Sequence, residues 1–296
     1  MTISHTAAPQ VQAFHDKDTG TLSYVVYDHD GGMAAIIDPV LDYDAAAART
    51  STASADALLH FVQGKLLTVA WILETHAHAD HLSAAGYLAD TLKVPVAIGQ
   101  GIVAVQQRFK ALFGLGDEFI ADGSQFDRLF ADGDTFNIGG LEGRVIATPG
   151  HTDDSLTYVI GDAAFIGDTV FAADTGTARC DFPGGDAHRL FGSIQKILSL
   201  PQSTRIYLCH DYPGDRRAAQ AQTSIDEQKQ HNVHLKDGTG EAAFVQMRQQ
   251  RDASLPVPKL ILPALQVNIR GGRLPEPDAN GVRYLRLPLD QMGGTQ

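Results

Sequence analysis

Residues 75–81 read Thr-His-Ala-His-Ala-Asp-His, a segment that places three imidazoles and one carboxylate within seven residues. Such side chains pack poorly in an apolar core, but they are the ligands that divalent transition metals prefer. The preceding residues 69–73 are apolar and bounded, which is typical of a buried strand, and residues 84–91 have helical spacing. Because α/β proteins place their chemistry where a strand leads into the loop before a helix, the segment predicts a metal site at a strand end.

The order of the predicted elements indicates the fold class. Strands followed by helices occur once in each half of the chain, which favours an α/β protein with two β-sheets packed together and helices outside. With 296 residues, of which 44% are hydrophobic, the chain is long enough to bury a substantial core. We predict a catalytic domain over residues 10–254. Residues 255–296 are rich in proline and glycine and are predicted to form an irregular C-terminal extension packed on the same domain.

Local patterns predict individual elements. Residues 21–28 and 33–38 read as a β-hairpin because the turn between them contains two adjacent glycines. The alanine-rich residues 42–61 have helical spacing. Further strands are predicted at 143–147, 156–160, 163–166 and 205–209, and further helices at 101–113, 187–198 and 241–251.

Charge and cysteine content restrict the setting. A net charge of −12 argues against nucleic acid and anionic membranes as main partners. Two cysteines, Cys180 and Cys209, are too few for a disulfide scaffold, so we expect reduced thiols. The N-terminus lacks the pattern of a secretory signal, and no apolar run approaches the roughly 20 residues that span a bilayer. We therefore expect a cytoplasmic enzyme, and a homodimer because dimers are common among soluble enzymes.

Three more residues with metal-binding side chains each follow a predicted strand. His151 lies in Thr-Pro-Gly-His-Thr after strand 143–147, and Gly150 lets the chain turn there. Asp168 follows the apolar residues 164–167, and His210 follows 206–209. If these strand ends share one rim with residues 75–81, all of these groups converge on one point.

The pattern His76-x-His78-x-Asp80-His81, followed by His151, Asp168 and His210, resembles the metallo-β-lactamase superfamily over roughly residues 20–235. The resemblance implies an αββα sandwich with the metal site at one edge. By resemblance to members with two metals, Asp168 bridges two ions. The first would be held by His76, His78 and His151, and the second by Asp80, His81 and His210.

Within the superfamily, residues 75–83, 167–171, 179–185 and 209–213 look closest to the persulfide dioxygenases. The tail at 265–270 resembles bacterial β-lactamase-like hydrolases linked to sulfide detoxification. This resemblance implies one Fe²⁺ per chain on His76, His151 and Asp168. The other four residues, His78, Asp80, His81 and His210, would then orient ligands and water. The implied reaction converts a low-molecular-weight persulfide such as glutathione persulfide, dioxygen and water into thiol and sulfite.

A hydrolytic alternative uses the same residues. Two Zn²⁺ ions bridged by Asp168 would lower the pKa of a shared water to about 7. The resulting hydroxide would attack a thioester, as in glyoxalase II, which this chain also resembles. All seven ligand positions are filled, so the sequence leaves the number of metals open.

Three residues are candidates for contact with the substrate. Arg179 could pair with a carboxylate or sulfite oxygen, or it could form a structural salt bridge. By resemblance, Tyr212 lines the thiol pocket; the alternative is a packed tyrosine. Cys180 lies beside Arg179, whose charge could make it a reactive thiol, whereas a buried inert thiol is the alternative. Cys209 is predicted to lie in the core, pointing away from the metal by strand alternation.

Overall fold

The computed structural model describes residues 8–214, 217–236 and 238–292. In chain order its elements are β1 (Gln10–His15), β2 (Leu22–Tyr27), β3 (Met33–Ile37), β4 (Val40–Asp44), β5 (Arg49–Ser51), α1 (Ala53–Gly64), β6 (Thr68–Leu73), β7 (Leu82–Ser83), α2 (Ala85–Leu92), β8 (Val96–Gly99), α3 (Ile102–Phe113), β9 (Arg128–Phe130), β10 (Thr135–Ile138), β11 (Leu141–Ala147), β12 (Leu156–Ile160), β13 (Ala163–Phe165), α4 (Ala187–Leu198), β14 (Arg205–Tyr207), β15 (Gln222–Ser224), α5 (Ile225–His231), α6 (Glu241–Asp252) and α7 (Ile261–Asn268).

The strands form two six-stranded mixed sheets and one small three-stranded sheet. The first large sheet has the order β1-β2-β3-β6-β8-β9, and its last four strands run parallel. The second has the order β10-β11-β12-β13-β14-β15, in which only β13 and β14 pair in parallel. The small sheet, β5-β4-β7, lies beside the first metal-binding motif.

Side-chain alternation along β2 shows how the layers are held together. Leu22, Tyr24 and Val26 join the hydrophobic core between the two large sheets. Val25 and Tyr27 point the other way, into the core shared with helices α1, α2, α3 and α7. Successive strand residues face opposite sides of a sheet, so a central strand covered on both sides is apolar at nearly every position. Ser23, the small polar residue of β2, donates through its hydroxyl to the carbonyl oxygen of Asp38. This layering confirms the predicted αββα sandwich.

The predicted helix at 42–61 is wrong in its first half. Residues Val40–Asp44 and Arg49–Ser51 form the hairpin β4–β5, and the helix begins only at Ala53. The Asp44 carboxylate accepts hydrogen bonds from the backbone N–H groups of Ala46 and Ala47, which closes a turn. Short acidic side chains that bind nearby backbone groups in this way compete with helix formation, and alanine content alone does not reveal it.

The C-terminal extension is also more regular than predicted. Residues Ile261–Asn268 form helix α7, which contributes Ile261, Leu265 and Val267 to the core beneath the first sheet. Pro263 lies in the first turn of the helix, where the missing backbone N–H has no intrahelical partner to lose. The proline and glycine content of the surrounding residues hides this short apolar helix. The domain boundary at 254 stays a prediction.

The two large sheets meet at the edge where the metal-binding motifs lie. The backbone N–H of Leu22, which begins β2, donates to the carbonyl oxygen of Cys209 at 2.8 Å, and Thr21 forms a β-bridge with His210. The end of the second sheet is thus fixed directly against the first. Among the described residues, no helix is long and apolar enough to cross a membrane.

Candidate metal centre

His76 lies just beyond β6 and is completely buried, with one ring nitrogen fixed by hydrogen bonding. Its Nδ1 is 3.0 Å from the hydroxyl of Thr75, which itself donates to the Asp38 carboxylate at 2.9 Å. Because the Thr75 proton is already used, Nδ1 must carry the hydrogen and Nε2 keeps its lone pair. That Nε2 is buried without a hydrogen-bond partner. Metal-binding histidines are typically oriented in this way.

His151 is oriented by the same device. Its Nδ1 is 2.7 Å from the backbone carbonyl oxygen of Arg179, an acceptor that requires the proton on Nδ1. Its Nε2 is 3.5 Å from Oδ2 of Asp168. The loop reaches this position because Gly150 adopts φ +135°, and an added Cβ would lie 2.2 Å from the backbone nitrogen of Leu190 in α4. Gly150 is therefore required both by its backbone angle and by close packing.

Asp168 offers one carboxylate oxygen to each half of the site. Oδ2 faces His151, and Oδ1 is 3.3 Å from Nε2 of His210. On the far side, Nε2 of His210 is 3.5 Å from Oδ2 of Asp80, and the same oxygen is 3.2 Å from Nδ1 of His81. The carboxylate of Asp168 thus lies between the two predicted ligand groups.

His78 faces two buried carboxylates. Its Nε2 is 3.0 Å from Asp38 Oδ1 and 3.4 Å from Glu74 Oε2, while its Nδ1 has no hydrogen-bond partner. Burial lowers the pKa of His78, but the neighbouring Asp38 carboxylate outweighs burial and raises that pKa well above its ordinary value. Burial in turn raises the pKa of Asp38, but the charge of His78 together with hydrogen bonds from His78 and Thr75 lowers that pKa below its ordinary value. Sequence reasoning missed Asp38 and Glu74; the signal was a lone carboxylate directly after each of two apolar strands, β3 and β6.

The donor set fits a bound metal. Ligand atoms of His76, His151 and Asp168 lie within 4.8 Å of one another, as do those of His78, Asp80 and His81. Several ring nitrogens of the site are buried with neither a hydrogen-bond partner nor an ion pair: Nε2 of His76 and His81, and Nδ1 of His78 and His210. Buried polar atoms are almost always satisfied, so such a cluster points to an ion. Burial and the charges of His78 and His151 also lower the pKa of His76 well below its ordinary value, which keeps it neutral as a ligand must be.

Two side chains from distant parts of the chain hold the loop of residues 75–81 by hydrogen bonds. The backbone N–H of Ala77 donates to Oδ2 of Asp154 at 2.8 Å. Asn268, at the end of α7, donates through Nδ2 to the carbonyl oxygens of His78 and His81, each at 2.8 Å. Its Oδ1 accepts from the backbone N–H of Ser83 at 2.7 Å. The C-terminal extension therefore helps to shape the metal centre, which sequence reasoning did not foresee.

A cavity of about 330 Å³ opens beside the centre. We call it the central cavity. Asp80, His151 and Asp168 form its inner wall, and the remaining wall is a mixture of aromatic, aliphatic, hydroxyl and cationic side chains: Ala79, Phe171, Thr175, Thr177, Arg179, Phe182, Tyr212, Arg248, Arg251, Leu255 and Pro258. Its volume suits a small organic molecule.

Arg179 and Tyr212, the two predicted substrate residues, both line this cavity. The guanidinium of Arg179 is held by two 2.7 Å hydrogen bonds to Asp181 and a third, also 2.7 Å, to the carbonyl oxygen of Pro256. The structural salt bridge weighed for this residue is therefore present. Tyr212 stacks on His210 with ring centroids 5.7 Å apart and planes only 5° from parallel, and it is 48% exposed. Its substrate contact stays a prediction.

Both cysteines are buried, but the predicted orientation of Cys209 is wrong. Cys180 is buried and absent from the cavity wall, and burial together with the Asp252 carboxylate raises its pKa to about 12. A thiol held protonated is a poor nucleophile, so the structure favours the inert alternative. Cys209 is buried as predicted, but its Sγ forms a group with His78 and His210 instead of pointing away. Strand β14 ends at Tyr207, so alternation no longer governs residue 209.

Comparison with known proteins extends these observations. The sequence profile of the metallo-β-lactamase superfamily matches residues 16–210. A probable metallo-hydrolase of Burkholderia pseudomallei strain 1710b is 51% identical, covering 95% of this chain and 99% of the relative. Glyoxylase B2 of Dictyostelium discoideum is 45% identical, covering 96% and 98%. The human mitochondrial persulfide dioxygenase ETHE1 is 31% identical, covering 85% and 84%. The crystal structure of ETHE1 from Myxococcus xanthus matches with a TM-score of 0.71 and 30% identity, covering 89% of this chain and 100% of that one.

Proposed function

Because this chain belongs to the metallo-β-lactamase superfamily, as its motifs predicted, we propose that it is an iron-dependent dioxygenase of low-molecular-weight persulfides. The observation that carries the proposal is the convergence of His76, His151 and Asp168 ligand atoms within 4.8 Å of one another. Two histidines and one carboxylate on one face of a metal are typical of non-haem iron oxygenases. The resemblance of residues 75–83 and 179–185 to persulfide dioxygenases, and the likeness to ETHE1, support the choice of substrate.

When bound, iron(II) would supply a place for dioxygen and the electrons that activate it. The residues of the chain position the other reactants. Phe171 and Phe182 make part of the cavity wall apolar, which limits the entry of bulk water on that side. Asp80 lines the same cavity and would hold the one water that the reaction consumes. Persulfide, one dioxygen and one water give thiol and sulfite, so two sulfite oxygens come from dioxygen and the third from water.

The second candidate is a binuclear zinc hydrolase of thioesters. Its specific support is that Asp168 directs one oxygen toward His151 and the other toward His210, as a bridging ligand would. The names of the closer relatives also favour it, since the proteins called metallo-hydrolase and glyoxylase are 51% and 45% identical, against 31% for the persulfide dioxygenase. In this candidate the zinc ions would lower the pKa of a bound water.

One experiment distinguishes the two candidates. The protein is purified without added metal, and its metal content is measured together with oxygen uptake on glutathione persulfide and hydrolysis of a glutathione thioester. About one iron per chain with oxygen uptake supports the dioxygenase. Two zinc ions per chain with thioester hydrolysis and no oxygen uptake would overturn it.

Variants of single histidines sharpen the test. His81→Ala should keep the full iron content if only His76, His151 and Asp168 bind metal, and it should lose one of two metals if the centre is binuclear. His76→Ala should lose metal in both cases. His60→Ala, which removes an exposed histidine on α1, is the matched control and should change neither metal content nor activity.

A further inference from the structure

A second cavity, of about 460 Å³, also reaches the candidate metal centre. We call it the acidic cavity, because four aspartates and a single lysine line it: Asp16, Asp18, Asp42, Asp80 and Lys259. The central cavity differs in charge, since three arginines and two aspartates line it. Asp80 belongs to both linings, so the centre is reached by one acidic and one basic cavity.

The carboxylates of the acidic cavity are held in place without being neutralised by basic side chains. Asp16 accepts hydrogen bonds from the backbone N–H and the hydroxyl of Thr19, at 3.1 and 2.5 Å. Asp42 accepts from the same two groups of Ser54, at 3.0 and 2.6 Å. Within residues 8–214, 217–236 and 238–292, no basic side chain forms an ion pair with Asp16, Asp18 or Asp42. These carboxylates are therefore available to a cation from solvent.

The residues of the acidic cavity lead from solvent to the buried centre. Asp18 is exposed, and Asp16 and Asp42 are half-buried. The side chain of Asp80 is 24% exposed. His81 is only 1% exposed, and its Nε2 has no hydrogen-bond partner although the residue lines the cavity. A buried imidazole nitrogen without a partner points to a ligand, and a divalent metal ion is the ligand that imidazole and carboxylate groups share.

From Asp80, candidate ligand atoms continue to the other half of the centre. Oδ2 of Asp80 is 3.5 Å from Nε2 of His210, which is 3.3 Å from Oδ1 of Asp168. Oδ2 of Asp168 is 3.5 Å from Nε2 of His151. Nitrogen and oxygen ligands bind Zn²⁺ at roughly 2.0–2.2 Å, so two ligands of one ion can be as much as about 4 Å apart. An ion can therefore pass along these atoms by exchanging one protein ligand at a time.

A divalent cation is attracted by one of the two cavities more than by the other. A cleft with carboxylate walls concentrates cations, because its low dielectric constant strengthens the attraction, whereas guanidinium groups in a cleft oppose their entry. Entry of the ion through the acidic cavity also leaves the central cavity to the organic substrate.

We propose that the acidic cavity is the route by which the metal ion enters the centre. Asp16, Asp18 and Asp42 attract the hydrated divalent cation, and Asp80 and His81 bind it first. In a centre that holds one iron, these two residues are transit ligands; in a centre that holds two zinc ions, the first ion passes them before the second remains there. The inference goes beyond the proposed function and requires only that the centre binds a divalent cation.

The test measures how fast Co²⁺ enters the metal-free protein. Co²⁺ is the probe because its visible absorption depends on the number and kind of its ligands. The metal of the full chain is removed with a chelator, circular dichroism compares the metal-free with the metal-loaded protein, and loading is followed by stopped-flow absorption at low salt. Final Co²⁺ content and the final spectrum are recorded for every variant.

We expect Asp18→Asn and Asp42→Asn each to slow loading about threefold, the effect of one carboxylate on a divalent ion roughly 10 Å away in water. Asp18→Lys should slow it about tenfold, because it changes the charge by two units. Final Co²⁺ content and spectrum should match the wild-type protein in all three variants. In roughly 1 M salt, where the screening length is about 3 Å, the differences should shrink below about twofold.

Two control variants separate the route from general effects of charge. Asp117→Asn is the matched control, since Asp117 is exposed, lines neither cavity, and loses the same charge. It should load like the wild-type protein. Arg251→Gln removes a positive charge from the lining of the central cavity. It should also load at the wild-type rate, whereas entry through the central cavity would make it about threefold faster.

Three results would overturn the proposal. The acidic cavity cannot guide the ion if the metal-free wild-type protein is unfolded. Loading of Asp18→Asn and Asp42→Asn at the wild-type rate would show that their charges do not act on the entering ion. Faster loading of Arg251→Gln would assign the route to the central cavity. Enzyme activity is not part of this measurement, so its absence would refute the proposed function without deciding the route of the metal.

Discussion

Replacing Asn268 by alanine should weaken the metal centre, although Asn268 lies nearly two hundred positions along the chain from His78 and His81. The side chain is buried and makes three hydrogen bonds to backbone groups of the first motif loop, to the carbonyl oxygens of His78 and His81 and to the N–H of Ser83. Alanine leaves all three partners buried without their acceptor or donor. We therefore expect both stability and metal retention to fall.

The magnitude follows from the number of orphaned groups. Each buried polar group left unsatisfied costs about 1–3 kcal/mol. Three such groups give about 3 kcal/mol at the low end, which applies here because a water molecule that enters the vacated space restores part of the hydrogen bonding. For a chain of this size that loss corresponds to a fall in melting temperature of roughly 6 °C.

The assay compares thermal unfolding and metal content of the metal-loaded proteins at one scan rate. Asn280→Ala is the matched control, because Asn280 is exposed. Its amide donates to the hydroxyl of Tyr284 and accepts from the backbone N–H of Val282, and both partners are local and exposed to solvent. That variant should melt within about 1 °C of the wild-type protein. If Asn268→Ala melts as late as Asn280→Ala and retains its metal, the extension does not support the centre and the reasoning is refuted.

Three further predictions concern Cys180, Arg179 and His234. Cys180→Ala should keep activity within about twofold, and the wild-type thiol should resist iodoacetamide at pH 8, because burial raises the pKa of Cys180 to about 12. Arg179→Gln should lower the melting temperature while changing the KM for persulfide less than twofold, since the guanidinium binds Asp181 and Pro256. Burial, with the charges of two nearby arginines, lowers the pKa of His234 in the folded protein to about 4. Between pH 6.5 and 4 this histidine is therefore protonated in the unfolded state but largely neutral in the folded state. The free energy of unfolding should therefore decrease as the pH is lowered from 6.5 to 4. The decrease should be about 1–2 kcal/mol larger in the wild-type protein than in His234→Asn, when both are measured by urea denaturation.

Each of these has a result that would contradict it. Rapid alkylation of Cys180 in the folded protein would mean that the thiol ionises. A tenfold higher KM in Arg179→Gln would indicate that Arg179 contacts the substrate, despite its salt bridge to Asp181. Identical pH dependence in His234→Asn and the wild-type protein would show that His234 titrates normally.

Much of this fold could be predicted because its strands are buried on both sides and bounded by turns. The hairpin β2–β3 and helix α4 were predicted nearly residue for residue, since apolar spacing there agrees with local propensity. The hairpin at β4–β5 was missed because a carboxylate that closes a turn outweighs the helical preference of alanine. Helix α7 was missed because its apolar face packs against a core formed by elements that are distant in sequence, and the local pattern does not show that core.

The candidate site likewise contains residues that the sequence predicts and residues that it does not. The convergence of His76, His151, Asp168 and His210 could be predicted, because each follows a strand and strand ends meet at one edge. The residues that hold these side chains in place could not. Asp38 and Asn268 act through hydrogen bonds to residues 37 and nearly 190 positions away, and no spacing rule reports contacts of that range. Which of the seven candidate ligands bind metal stays a prediction.

The direct junction between the two sheets at Leu22 and Cys209 links the supply of the bound metal to the lifetime of the protein. The candidate ligands come from both sheets, so a bound ion joins segments that are otherwise held mainly by packing, and its binding free energy adds to the free energy of folding. Loss of the ion should increase the population of molecules in which this edge is open, and opened molecules are what cellular proteases cleave. We therefore expect cells short of the metal that this centre binds to contain less of this protein at unchanged messenger RNA.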